Sequence, residues 1–194
     1  MLKILTLGLI VIIVGAGATF GIRAYIELSD PIIVEGIKGR LLKPPPLTVY
    51  GGVILRKDLA FLQKTNYTCG PATLALACKA MGVKASEEEI AFLSSCNKEG
   101  TSMLNLSKAA REKGLVAQGL FLTLDDFRKM IGRRILIAFI EKSHFGLVIG
   151  HGSDDGILII DPNYGVVLLK ENRFRRIWDG YVLSLGKRKE GNDN

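Results

Sequence analysis

The stretch CGPATLALACKAM, residues 69–81, sets the character of the first half of the chain. It is rich in alanine and leucine, which favour helix, and it is followed by Gly82, a residue type that commonly ends helices. Pro71 lies where the first turn of a helix tolerates proline. We therefore predict a helix that begins at Cys69 and ends at Met81.

Helix-capping signals surround this segment, and β-branched runs follow it. The further helices are predicted at Ser86–Ser95, Ser102–Lys113, Thr123–Gly132 and Glu171–Trp178. The strands are predicted at Ile135–Ile140, Phe145–Ile149, Gly156–Ile160, Val166–Leu169 and Tyr181–Leu185. Helices first and short strands second indicate an α+β fold, in which an N-terminal helical part packs on a C-terminal antiparallel sheet.

The beginning of the chain holds an uncharged apolar segment, Ile4–Ile22, which is long enough to cross a bilayer as a helix. Lys3 before it and the small residues 16–18 fit a cleaved secretory signal, whereas its continuation to Ile22 fits a retained anchor. Both alternatives stay open. The basic residues that follow the segment would hold the body in the cytoplasm, but the signal-like order of the segment favours export.

Four segments are predicted along the chain. They are a signal peptide or membrane anchor at 1–24, a linker at 25–50, a folded domain at 51–186 and a charged tail at 187–194. Three consecutive prolines, residues 44–46, give the linker an extended backbone. Export would place the folded domain in the cell envelope, on the periplasmic side of the inner membrane or released from it.

Composition excludes several classes of function. The formal net charge of +7 is spread over 194 residues, without the aromatic-interleaved basic motif or zinc-finger spacing of nucleic-acid-binding proteins. The two histidines are seven residues apart, which does not match the ligand spacing of zinc enzymes, and there is no phosphate-binding loop. We predict no nucleic-acid partner, no metal and no cofactor.

Cys69 is the candidate nucleophile among the three cysteines. The N-terminus of a helix favours a thiolate over a thiol, and Gly70 allows another segment to approach the backbone closely. Cys78, nine residues further along the same helix, lies on the opposite face. Cys78 and Cys96 form either a disulfide that leaves Cys69 free or two separate thiols, and the sequence leaves this open.

His144 and His151 lie at opposite ends of one apolar run and on opposite faces, so at most one of them can serve Cys69. We predict His144 as the base and place His151 in the following turn as a solvated residue. If residues 149 and 156 pair across a hairpin, His144 lies directly opposite Asp161, close enough for its imidazole to bond the carboxylate. This register predicts a nucleophile, a base and an orienting carboxylate, the groups that acyl transfer requires. The backbone N–H of Cys69 and the side chain of Gln63 are the candidate oxyanion donors.

These residues also carry a family resemblance, which extends from about residue 55 to residue 185. The motifs are Gln63-x5-Cys69-Gly70, His144-Phe145, Asp161-Pro162 with Gly165, and Phe174 followed by Trp178-Asp179-Gly180-Tyr181. In this order and spacing they resemble the bacteriocin-processing, double-glycine leader peptidases, a branch of the papain-like cysteine peptidases. The resemblance implies a papain-like fold and cleavage of a leader peptide after a Gly-Gly pair.

The same resemblance implies a role for each site residue. Cys69 would be the nucleophile, His144 the base, Asp161 the orienting carboxylate and Gln63 the oxyanion donor. Two features depart from the exporter-fused members of the family: Thr68 replaces the acidic residue that commonly precedes the cysteine, and no transporter or nucleotidase sequence follows. On this resemblance the chain would work either alone or with a separately encoded exporter as a partner.

Three functions fit these residues. The first is a cysteine peptidase that cleaves a leader or exported polypeptide in support of a secretion system. The second is a catalytically silent module that docks leader peptides, and the third is a thiol hydrolase that acts on a non-peptide amide. Docking modules typically lose the cysteine or the histidine, whereas this chain keeps both, which favours an enzyme.

Overall fold

The computed structural model describes residues 48–56, 63–152 and 155–187. In chain order its elements are β1 (Thr48–Val49), β2 (Gly52–Arg56), α1 (Cys69–Ala80), α2 (Glu87–Leu93), α3 (Met103–Glu112), β3 (Leu115–Phe121), α4 (Leu124–Met130), β4 (Ile135–Ile140), β5 (His144–His151), β6 (Ile157–Asp161), β7 (Gly165–Leu169), α5 (Glu171–Ile177) and β8 (Trp178–Lys187). A helical layer lies on an antiparallel sheet, so the predicted α+β class is confirmed.

The helices begin where capping residues satisfy their free N–H groups. The side chains of Ser86, Ser102 and Thr123 accept hydrogen bonds from backbone N–H groups in the first turns of α2, α3 and α4. α1 differs, because Thr68 makes no such bond and nearly all of the helix is buried. Thr73 on α1 donates a hydrogen bond to the carbonyl of Phe145 on β5 (3.2 Å), which fixes the start of α1 against the sheet.

Strand order in the sheet is β1-β2-β7-β6-β5-β4-β8-β3, with each neighbouring pair antiparallel. Its two faces contribute to two different clusters of buried side chains. Leu147 and Ile160 belong to the cluster beneath α1–α3, while Val148 and Ile159 belong to a second cluster with α4 and α5. Because alternate residues of a strand face opposite ways, burial of both faces requires apolar residues in succession. This explains the continuous apolar runs of the central strands.

Three strands were not predicted. β3 ends one edge of the sheet, and its pattern of LVAQGLF includes a polar residue and a glycine, which weaken the strand signal. β1 and β2 form a hairpin at the other edge, and β1 falls in the segment that we predicted as linker 25–50. The sheet therefore begins at least three residues before the predicted folded domain.

The predicted apolar segment Ile4–Ile22 lies outside the described residues, as do most of the linker and the tail beyond Lys187. Within the described ranges, no helix is both long enough and apolar enough to cross a membrane.

The register of the β5–β6 hairpin differs from the prediction. Leu147 pairs with Ile160, and continuing this pairing by one residue on each strand places Asp161 opposite Gly146 rather than His144. The turn is one residue shorter than predicted and begins after the pair His151–Ile157, which shifts the register by three residues, and the bulge between Val148 and Gly150 takes back one of them. Near the site the shift is two residues, an even number, so His144 and Asp161 still project from the same face of the sheet.

Candidate active site

The thiol of Cys69 lies at the first residue of α1, where the helix meets the beginning of β5. Its side chain is only 8% exposed, and its Sγ lies 4.0 Å from the carbonyl oxygen of Ser143. A Cβ atom on Gly70 would lie 2.8 Å from the Thr101 side chain and 3.2 Å from the Phe145 ring. The close approach that we predicted at Gly70 is therefore present, and it presses the N-terminus of α1 against β5.

His144 and Asp161 form a buried pair on the sheet beside this thiol. Nε2 of His144 lies 2.9 Å from Oδ2 of Asp161, whose side chain is fully buried. The other carboxylate oxygen, Oδ1, accepts hydrogen bonds from the backbone N–H groups of Asn163 (2.7 Å) and Tyr164 (3.1 Å). With Nε2 bound to the carboxylate, Nδ1 is the imidazole nitrogen left for Cys69.

The electrostatics of the pair favour a thiolate beside an imidazolium. Burial acts to raise the pKa of Cys69, but the hydrogen bond and charge of His144 and the backbone N–H groups of Phe145 and Gly70 together hold that pKa below its ordinary value. Burial acts to lower the pKa of His144, but Asp161 and Cys69 outweigh it and raise the pKa to about 9. The proton therefore rests on the imidazole at neutral pH.

The pKa values of the other two thiols are raised rather than lowered. Burial raises the pKa of Cys78 to about 11, and burial together with the negative charge of Cys69 raises the pKa of Cys96. All three cysteines are free, so Cys78 and Cys96 form no disulfide in this structure.

Gln63 lies beside the turn that carries Asp161. Its backbone N–H donates a hydrogen bond to the carbonyl of Pro162 (2.8 Å), and its side-chain Nε2 donates one to the carbonyl of Thr65 (2.5 Å). Its Oε1 is buried and has no hydrogen-bond partner among the residues that the structure describes. Nε2 has a second N–H, which is chemically able to donate to an oxyanion. The role of Gln63 as an oxyanion donor stays a prediction.

His151 is separated from this constellation. It is the last residue of β5, where it pairs with Ile157, and its side chain is exposed. We predicted it in the turn, whereas β5 extends two residues beyond its predicted end at Ile149 and includes His151; its exposure agrees with the solvated position that we expected.

Tyr50 is a site residue that the sequence reasoning missed. Its hydroxyl donates a hydrogen bond to Oδ2 of Asp161 (3.2 Å), the oxygen that also binds His144. The pattern of β-formers around Gly51-Gly52 is a hairpin signal that would have placed Tyr50 in a turn. It would not have shown that the turn meets Asp161.

The electrostatics give a first testable expectation. Iodoacetamide is expected to alkylate Cys69 well before Cys78 and Cys96 at pH 7, because the thiolate is the reacting form and only the pKa of Cys69 is lowered. As the pH falls, the reactivity of Cys69 persists below the pH range of an ordinary thiol and is lost when the pH passes through the lowered pKa. Mass spectrometry of tryptic peptides measures the labelled fraction of each cysteine.

The matched variant for this experiment is His144→Gln. Without the imidazolium, the effect of burial, which raises the pKa of Cys69, is less well balanced. The midpoint of the alkylation profile of Cys69 should therefore move to higher pH. Preferential labelling of Cys96 while Cys69 stays inert, or an unchanged midpoint in the variant, would contradict the assignment.

A thiol at the start of a buried helix, next to a histidine held by an aspartate on an antiparallel sheet, is the arrangement of papain-like cysteine peptidases. The chain belongs to the peptidase C39 family, whose model matches residues 59–190. Members of this family are cysteine peptidases. The resemblance predicted from the sequence and the papain-like fold are thus confirmed.

Two similar proteins come from two species of Methanothermobacter. An uncharacterized protein of Methanothermobacter thermautotrophicus is 32% identical over 129 residues, covering 66% of this chain and 89% of that protein. An uncharacterized protein of Methanothermobacter marburgensis is 33% identical over 132 residues, with the same coverage of both chains.

Two solved structures share the fold. One is a double glycine motif protease from a peptidase-containing transporter in complex with the leader peptide, with 25% identity, a TM-score of 0.62, and coverage of 66% of this chain and 89% of the other. The second is the peptidase domain of Streptococcus ComA, a bifunctional ABC transporter involved in quorum sensing, with 26% identity, a TM-score of 0.60, and coverage of 66% and 96%.

Proposed function

We propose that this protein is a cysteine peptidase that cleaves a leader or exported polypeptide after a Gly-Gly pair, in support of a secretion system. The observation that carries the proposal is the bond between His144 and Asp161 (2.9 Å), next to a buried thiol whose pKa is lowered. The complex of a similar double-glycine protease with its leader peptide supports the substrate class.

Each residue has one role in the proposed reaction. The thiolate Sγ of Cys69 attacks the carbonyl carbon of the second glycine, and the backbone N–H of Cys69 and the side chain of Gln63 stabilise the oxyanion. The imidazolium of His144 gives its Nδ1 proton to the leaving amine as the C–N bond breaks. His144 then takes a proton from water, which attacks the thioester and releases Cys69 as thiolate. Asp161 holds Nε2 and so keeps Nδ1 directed at the thiol.

Residues 4–22 are proposed to attach the protein to a membrane, as an anchor or as a signal that directs export, with the peptidase domain outside the cytoplasm. The apolar length of this segment supports the proposal. A reporter enzyme that is active only outside the cytoplasm, fused after Asn194, tests it, and an inactive fusion would contradict it. A separately encoded exporter is the proposed partner.

The test of the activity uses a synthetic leader that ends in Gly-Gly, joined to a short cargo. Mass spectrometry is expected to find a cut after the second glycine with the wild type and none with Cys69→Ala, because the nucleophile is gone. Cys96→Ala is the matched control and should still cleave, since that thiol has a raised pKa and no role in the reaction.

The alternatives give different results in the same experiment. Leader bound by the wild type but left intact would favour the docking module, and equal cleavage by wild type and Cys69→Ala would end the peptidase proposal. Leader that is neither bound nor cut, with turnover of a small amide instead, would favour the non-peptide hydrolase.

A further inference from the structure

Tyr50 reaches the thiol site from outside the segment that the family model matches. That match begins at residue 59, whereas Tyr50 lies in the turn between β1 and β2. Its hydroxyl lies 3.2 Å from Oδ2 of Asp161, and its ring centroid lies 6.4 Å from that of His144. The ring also packs edge-on against Tyr164 (5.9 Å), next to the turn that holds the carboxylate. The hairpin thus adds a group to the pair of His144 and Asp161.

The position of Tyr50 is fixed by contacts on two sides. β2 pairs with β7 through Ile54 and Val167, which ties the hairpin to the strand that follows Asp161 in the chain. The guanidinium of Arg173 donates a hydrogen bond to the backbone carbonyl of Tyr50 (3.3 Å). Gly51, at a φ of +71°, lies so close to Arg173 that a Cβ atom there would meet the guanidinium at 2.5 Å. Strand pairing and the bond from Arg173 together hold the turn beside Asp161.

The two oxygens of Asp161 are held in different ways. Oδ1 is bound by two backbone N–H groups, so the carboxylate keeps its orientation without help from Tyr50. Oδ2 accepts from both His144 and Tyr50, so these two donors share the negative charge on that oxygen. A donor to a carboxylate stabilises its charge and weakens the attraction that the carboxylate exerts on another partner.

We propose that Tyr50 is a positioning residue whose hydroxyl limits how strongly Asp161 holds the imidazolium of His144. The reaction needs His144 first as an acid and then as a base, and a carboxylate that held the proton too firmly would slow the second step. This inference rests on the proposed peptidase function and adds a specific role for a residue outside the family match.

The charged and titratable groups around the pair agree with this role. Cys69 on α1 and Asp161 on β6 act on His144 directly, and the hydroxyl of Tyr50 reaches His144 through Oδ2 of Asp161. Tyr164 and Glu141 also act on Tyr50. Burial and the neighbouring carboxylate raise the pKa of Tyr50 far above its ordinary value. Its hydroxyl therefore keeps its proton and remains a donor over the whole working range of pH.

The test is Tyr50→Phe in the full chain, which keeps the ring and removes only the hydroxyl. The protein has two histidines, so NMR follows the titration of His144 directly, with the exposed His151 as an internal reference. The midpoint of His144 is expected to rise by about half a pH unit, a threefold change in its protonation equilibrium. The midpoint of the alkaline limb of the pH–rate profile for cleavage should move to higher pH by the same amount. The kcat should fall about two- to fivefold at unchanged KM.

A second variant moves the turn instead of removing the hydroxyl. Gly51→Ala places a Cβ atom where the Arg173 guanidinium lies, so that side chain must move and lose its hydrogen bond to the carbonyl of Tyr50, and the His144 midpoint should rise in the same direction. Gly82→Ala is the matched control: its φ is +72°, but nothing lies within 4 Å of the added atom. It carries the same backbone strain and should leave the midpoint unchanged.

The results separate this inference from the proposed function. If the wild type cleaves the leader but Tyr50→Phe titrates and cleaves like the wild type, or only raises KM, the positioning role is wrong while the peptidase stands. If the His144 midpoint rises in Tyr50→Phe although the wild type cleaves no leader, the coupling of Tyr50 to His144 holds and the peptidase proposal fails.

Discussion

His144→Ala is expected to lower kcat for leader cleavage by about 10²–10⁴-fold, the usual contribution of a general acid and base. Two causes act together. Burial then opposes the thiolate of Cys69 without the balancing imidazolium, and no group remains to protonate the leaving amine or to activate water. Steady-state cleavage of the Gly-Gly leader peptide measures kcat, and near-ultraviolet circular dichroism checks that the fold is retained.

His151→Ala provides the matched control in the same chain. His151 is exposed at the far end of β5, so its removal should leave both kcat and KM within a factor of two of the wild type. Equal losses in the two variants, or an unaffected His144→Ala enzyme, would exclude His144 as the acid and base.

Phe174→Ala is expected to lower the free energy of unfolding by about 3–5 kcal/mol, the usual cost of emptying an aromatic core site. Phe174 on α5 is fully buried and stacks on Phe127 (centroids 5.0 Å apart) and Trp178 (5.2 Å). This cluster joins α4, α5 and β8 on the face of the sheet away from α1, so the loss falls on stability rather than on the thiol site. Urea denaturation followed by tryptophan fluorescence measures it.

Phe92→Ala removes the same side chain from an exposed position. Phe92 on α2 is 84% exposed, so its substitution should change the free energy of unfolding by less than about 0.5 kcal/mol. Comparable destabilisation by the two variants would show that the aromatic cluster around Phe174 is not a core.

The parts of the fold that could be predicted are those with local signals. The caps at Ser86, Ser102 and Thr123 act within three residues, so the sequence shows them directly. The central strands are recognisable in the sequence as continuous apolar runs, because both of their faces are buried. The edge strands lack this signal: β3 faces solvent at several positions, and the short β1 is defined by pairing with β2.

The site residues whose placement depends only on the alternation of side chains along one strand could be predicted. Those whose placement depends on how two strands pair could not. Alternation along β5 separates His144 from His151 whatever strand lies beside it. The pairing with Asp161 was predicted from a register that is wrong by two residues, and it survives because an even shift preserves the facing side. Tyr50 depends on the pairing of β2 with β7, a long-range contact that has no local signature.

The strand order also sets the time at which the site can be completed during synthesis. Tyr50 precedes Asp161 by 111 residues, and between them the chain must form α1–α4 and β2–β5. Pairings over such separations form slowly, because the entropy of closing the loop is lost before any stabilising contact is made. A nascent chain would thus carry Cys69 without its histidine, and the thiol would become reactive only after the second half of the domain has emerged.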